Sequence, residues 1–218
     1  MLAANAYAVE KRYADEWNSK LASTSQMLKN GAYGEALPIL KGVLTEMLSV
    51  LGPSEATTYV LVVPLIQISL AEAGLGNRGA AVWHWHMAQT LYPKAAGSDL
   101  SMFGDPGAFL KKNLLSDPTP EACKHDRPEG TVLPKVVKTV EPLYPEGARK
   151  FRVRGLVIID VIIGADGVAR EPRLVKPLEA PMALTALEAL RNWTFTPAQL
   201  NGKPIETRFC LTVNFKLK

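Results

Sequence analysis

Gly155-Leu-Val-Ile-Ile-Asp-Val-Ile-Ile163 runs directly into Gly164-Ala-Asp-Gly167. Six of the first nine residues are β-branched, and branching at Cβ favours pleated backbone. The glycine–aspartate segment that follows suits a hairpin turn. A strand is therefore expected over 155–163 and a returning strand over about 168–176. Ala183, Leu184, Leu187, Ala189 and Leu190 are the apolar positions of a helix expected over 182–193. Residues 207–217 alternate as a last strand. Phe209, Leu211, Val213, Phe215 and Leu217 share one face, and Cys210, Thr212, Asn214 and Lys216 the other. Upstream, Tyr144-Pro-Glu-Gly-Ala-Arg-Lys150 reads as a short helix with proline at its start.

Chain direction orders these strands. The first runs up, the hairpin returns down, and the helix carries the chain back up, so the third runs down. Antiparallel pairing then seats the third strand beside the first. This predicts an α+β fold: a three-stranded antiparallel sheet of order 2-1-3 with two helices, its third strand an edge. If Val157, Ile159, Val161 and Ile163 face the helices, Leu156, Ile158 and Ile162 point the other way. A one-sided sheet is polar there, so a proline-rich connector, a helical region or a second copy must cover that face. Cys210 lies on it too. A Cys123–Cys210 disulfide would pin the connector across the face, and two separate buried thiols are the alternative.

The rest of the chain sets the limits. It has 218 residues, 47% hydrophobic and 21% charged, with a net charge of +4. That balance is too mild to argue for nucleic acid. The longest uncharged apolar run, residues 59–70, contains Pro64 and falls short of the ~20 residues of a membrane span. The start is too short for a signal peptide, although Ala4-Asn5-Ala6 has the small-x-small form of a trimmed one. Half of the 16 prolines lie between residues 93 and 145, so that stretch is expected to be irregular. Split at residue 130, the charge is −2 before and +6 after. The division is a helical domain over 1–93, a proline-rich connector over 94–131 and the α+β domain over 132–218.

Four helices are expected in the first part. The first spans 7–28, with Tyr13, Trp17, Leu21, Ser25 and Leu28 on one face, and stops at Asn30-Gly31. The second covers 33–50. The third starts at Ser54 as N-cap and runs through Pro64 to Gly74. The fourth covers 79–92. Gly76-Asn-Arg-Gly-Ala-Ala81-Val-Trp-His-Trp85-His-Met-Ala88 resembles the second half of a tetratricopeptide repeat, with small residues for close approach and Trp85 filling the groove. Gly31, Tyr33, Ala36 and Leu40 repeat the spacing, but 45 residues away against about 34 in that family. Degenerate tetratricopeptide-like hairpins and an ordinary antiparallel bundle both fit, and either is a binding scaffold. His84 and His86 point about 200° apart and cannot share an ion. They read as solvent-edge side chains, and no metal or cofactor site is expected. GxSxG, P-loop, HExxH and Rossmann patterns do not occur, so a non-enzymatic protein is expected. Arg149, Lys150, Arg152 and Arg154 read as a helix-dipole match and a solvated turn.

Four blocks occur in order along 132–218. They are Pro134-Lys-Val-Val-Lys-Thr-Val-Glu-Pro-Leu-Tyr-Pro-Glu-Gly-Ala148-Arg, Gly155-x-Val-x-Ile-x-Val-x-Ile-Gly-x-Asp-Gly167, Asn192-Trp-Thr-Phe-Thr-Pro-Ala198 and Asn201-Gly-Lys-Pro204. Together they resemble the TonB C-terminal domain. The resemblance implies a periplasmic domain of the bacterial envelope that grips an extended segment of an outer-membrane transporter by strand addition at its last strand. Thr207, Phe209, Leu211, Val213 and Phe215 would form that edge, with Arg208 and Lys216 attracting an acidic peptide. The edge would fail if the protein's own connector or a homodimer mate already filled it. An exported, disulfide-permissive compartment follows. The leading expectation is a periplasmic protein-interaction protein that binds a protein or peptide. The alternative is an energy transducer coupling the inner-membrane proton-motive force to outer-membrane transport, its membrane anchor absent from this sequence.

Overall fold

The computed structural model describes residues 2–52, 55–118, 120, 123 and 125–217, with side chains except for 2–12 and 55–57. Helices α2 (Tyr33–Val50), α3 (Glu55–Gly74) and α4 (Arg78–Leu91) match the expected elements closely, and α1 (Leu2–Lys29) starts before the expected residue 7. Ser54, the expected cap of α3, lies outside the described residues. Gly31 and Gly76 both hold φ of 79° at the turns after α1 and α3, where only glycine is unstrained. Each helix packs on the next. Leu40, Ala36, Ala81, Trp85 and Ala88 are fully buried between them. Thr24 of α1, rather than Ser25, turns inward and donates to Gln67 Oε1 of α3 at 2.6 Å.

The proline-rich connector is less irregular than expected. Two 3₁₀ turns, Pro93–Gly97 and Ser101–Phe103, lead into α5 (Gly104–Lys112). Pro106 lies in the first turn of α5, where its missing N–H costs nothing, and Leu110 is fully buried. His84 and His86 also depart from expectation, because each is only 3% exposed. Later segments of the chain pack over them. His84 Nε2 lies 3.2 Å from Glu188 Oε1, and His86 Nε2 lies 3.1 Å from the Asn113 carbonyl. Burial pushes the His86 pKa below its ordinary value.

The C-terminal part contains β1 (Lys135–Lys138), α6 (Glu146–Lys150), β2 (Gly155–Ile163), β3 (Ala169–Lys176), α7 (Ala180–Leu190), β4 (Thr194–Thr196), β5 (Ala198–Leu200), β6 (Lys203–Ile205) and β7 (Thr207–Phe215). The main sheet is antiparallel with order β3-β2-β7, the expected 2-1-3. Strand β7 ends at Phe215, two residues short of the expected limit. The ribbons β1-β4 and β5-β6 escape a sequence reading because strands of three or four residues show no period. Val157, Ile159, Val161 and Ile163 are fully buried on the face where α7 packs, and α7 in turn meets α3 and α4. One continuous apolar cluster therefore joins Trp17 in α1 to Phe215 in β7.

Helix α6 docks directly on the end of α2. A Cβ at Gly147 would sit 2.0 Å from the Leu51 carbonyl oxygen, so only hydrogen fits at that junction. Gly147→Ala is expected to destabilise the chain by about 1–3 kcal/mol through overpacking. A lowered urea midpoint with an unchanged slope would show this.

Candidate partner-binding edge

A three-stranded sheet has two edges, each with main-chain groups that need partners. The β3 edge is covered. The Leu174 N–H donates to Thr90 Oγ1 of α4 at 2.7 Å, and that hydroxyl donates to the Pro118 carbonyl at 2.7 Å. Strand β7 pairs with β2 without a register break from Thr207 to Phe215. Among the described residues no strand lies along its other side.

The expected site residues divide by side chain. Leu211, Val213 and Phe215 are buried in the core, and Thr207 and Phe209 are half-buried. What these positions offer at the edge is therefore main chain. Thr212 and Asn214 are exposed on the opposite face, and Lys216 is exposed just beyond the strand. Arg208 is already engaged: Nη2 lies 2.8 Å from Glu171 Oε2 and Nη1 lies 3.4 Å from Asp160 Oδ2. Of the two expected cations, Lys216 alone is exposed.

The connector crosses the outer face of the sheet. Cys123 and Cys210 form the expected disulfide, closing a sequence separation of 87. Arg127 Nη2 donates to the Arg208 carbonyl at 2.8 Å. Ile158 and Ile162 are half-buried, and Leu156 at the strand end stays exposed. At the centre of this face lies Asp160, with no solvent exposure. In register it faces Cys210 of β7 and Arg173 of β3. Arg173 Nε donates to Asp160 Oδ2 at 3.0 Å, and Arg173 Nη2 reaches the same oxygen. Arg173 also lies 3.4 Å from Asp117 of the connector. His125 Nε2 is 2.9 Å from Asp160 Oδ1. Beside this cluster β3 bulges at Glu171, which holds φ of 46° and so turns its carboxylate to Arg208.

The sequence reading missed Asp160, Arg173 and His125. One signal was present, a single carboxylate inside a run of β-branched residues, because a buried charge demands a partner. Removing one member of a buried ion pair leaves the other uncompensated. Asp160→Asn is thus expected to lower stability by about 3 kcal/mol, measured by urea unfolding with the disulfide intact.

Residues 140–217 match the family described as Gram-negative bacterial TonB protein C-terminal. Protein TonB of Vibrio cholerae serotype O1 is 35% identical over 81 residues, which is 36% of this chain and 33% of that protein. The chain thus spans about a third of the length of that curated relative. The four sequence blocks, the β3-β2-β7 sheet and this match agree, and residues 140–217 form a TonB C-terminal domain behind a helical region that lies outside the match.

Proposed function

We infer that this chain is a non-enzymatic, exported protein-interaction protein that takes an extended segment of an envelope partner as an added strand along β7. The observation that carries this reading is the asymmetry of the sheet. Thr90 and α4 cover the β3 edge, whereas β7 has a paired strand on one side only among the described residues. An outer-membrane transporter segment is the partner that the TonB C-terminal domain suggests. The Cys123–Cys210 disulfide suits the periplasm. The glycine turns and close-packed alanines of the helical region support degenerate tetratricopeptide-like hairpins, a second interaction surface.

Main-chain pairing alone binds weakly. Each added hydrogen bond is worth about 1 kcal/mol net, while ordering each peptide residue costs roughly 1–2 kcal/mol. The inward-facing side chains of Leu211, Val213 and Phe215 offer the partner no pocket. A cavity of about 450 Å³ does open beside the start of β7, between the connector and Thr207, with His125, Arg127 and Glu206 in its wall. A partner side chain seated there would add the missing affinity.

The match to Protein TonB favours energy transduction as the second reading. No helix among the described residues is long and apolar enough to cross a membrane. Recovery of the native gene product from membranes with an uncleaved span would favour transduction. Recovery from the periplasmic fraction would favour the first reading.

Strand addition has its own signature in amide exchange. A synthetic peptide copying the extended segment of an outer-membrane transporter is expected to slow alternate amides between Thr207 and Phe215. The dissociation constant should be on the order of 100 µM or weaker. Protection confined to the helices, or none, would remove β7 as the binding edge.

A further inference from the structure

Where the connector crosses β2 and β7, the buried polar atoms without a hydrogen bond among the described residues include Arg127 Nε and two atoms that face each other. The facing pair is His125 Nε2 and Asp160 Oδ1, 2.9 Å apart but not aligned to bond. Both guanidinium groups, from Arg173 and Arg208, contact the other carboxylate oxygen, Oδ2. Oδ1 is thus left facing the imidazole. Cys210 Sγ completes a group in which the histidine nitrogen, the carboxylate oxygen and the sulfur all lie within 4.8 Å of one another. Cys123 Sγ is bonded to Cys210 and brings a fourth ligand atom to the same corner. Two sulfurs, one imidazole and one carboxylate make a donor set that suits tetrahedral zinc.

We propose that reduction of Cys123–Cys210 converts this corner into a zinc site ligated by Cys123 Sγ, Cys210 Sγ, His125 Nε2 and Asp160 Oδ1. Cys123 is exposed, so a dithiol reductant can reach the bond. One thiolate of the dithiol attacks a sulfur and forms a mixed disulfide. Its second thiol then closes the reductant's own disulfide, and two electrons and two protons pass to Cys123 and Cys210. Zinc binding displaces both thiol protons, and His125 binds as neutral imidazole.

Charge explains why the oxidised form excludes the ion. Asp160, Glu171 and Asp117 are already engaged by Arg173 and Arg208, and a disulfide offers no anionic sulfur to bind a divalent cation. Two thiolates supply that negative charge. The arginines on Oδ2 then hold the ligating carboxylate in place, as outer-shell partners do in metal sites. The result is a clasp in two forms, covalent when oxidised and metal-bridged when reduced, that keeps the connector on the sheet in both.

The test uses the full chain, reduced with a phosphine and cleared of it under argon, then titrated with Zn²⁺ against a chromophoric chelator. About one equivalent per chain is expected to bind after reduction and none before. Co²⁺ in place of zinc should give the intense visible bands of a tetrahedral thiolate site. His125→Gln and Asp160→Asn should each weaken zinc at least about 10-fold, and Cys210→Ser should abolish binding. Asp160→Asn can lose stability, so His125→Gln, checked for native near-ultraviolet circular dichroism when oxidised, is the deciding variant. No zinc bound by the reduced chain, or zinc bound by His125→Gln as tightly as by wild type, overturns the proposal.

Discussion

The main-chain groups of a three-stranded sheet, together with its two faces, set more demands than three strands can meet alone. Each face needs cover if it is apolar, and each edge needs donors and acceptors. Helix α7 covers one face and the connector covers the other. Thr90 of α4 answers the Leu174 amide on the β3 edge. Of these four boundaries the β7 edge is the one with no strand or helix along it among the described residues, although Arg127 of the connector holds the Arg208 carbonyl at its start. The helical region is therefore more than an appendage to the TonB C-terminal domain, since it shares the core and decides which edge stays open.

Asp160 sets the register of this arrangement. It lies across from Arg173 on one strand and Cys210 on the other. A slip of one residue would turn the carboxylate into the apolar face under α7 and turn Ile159 and Val161 outward. Buried ion pairs add little net stability over a well-packed apolar substitute, because desolvation offsets most of the attraction. The pairing as a whole thus adds little over an apolar substitute, whereas loss of Asp160 alone is costly because it strands the arginines. The same carboxylate meets Arg173, Arg208 and His125, so it ties the hairpin, the edge strand and the connector to one point. The disulfide beside it restricts the unfolded chain across a long loop.

Arg208 shows how this framework alters a functional reading. An arginine on an edge strand invites an acidic ligand. Here its guanidinium is held by Glu171 and Asp160, and its carbonyl by Arg127. The start of β7 is thus built into the connector junction, while the stretch from Leu211 to Phe215 shows the main chain of an edge with its apolar side chains turned inward. Strand addition there would draw on backbone pairing first and on neighbouring pockets for any selectivity.

Strand order, the buried face of β2 and the limits of α2, α3 and α4 could be read from residue order, because periodicity and chain direction are local or follow from simple connectivity, whereas the Cys123–Cys210 pairing stays one of two alternatives until the connector is placed. The burial of His84 and His86, the short ribbons and helix α5 could not, because each depends on what packs over it. The partners of Asp160 and the covering of the β3 edge were equally hidden. Thr90 and Leu174 meet across 84 residues, and His125 reaches Asp160 only because the connector folds back over the sheet. Alternation along a strand settles which way a side chain points. Which distant segment arrives to meet it is settled only when the whole chain packs, and that packing leaves β7 with a paired strand on one side only among the described residues.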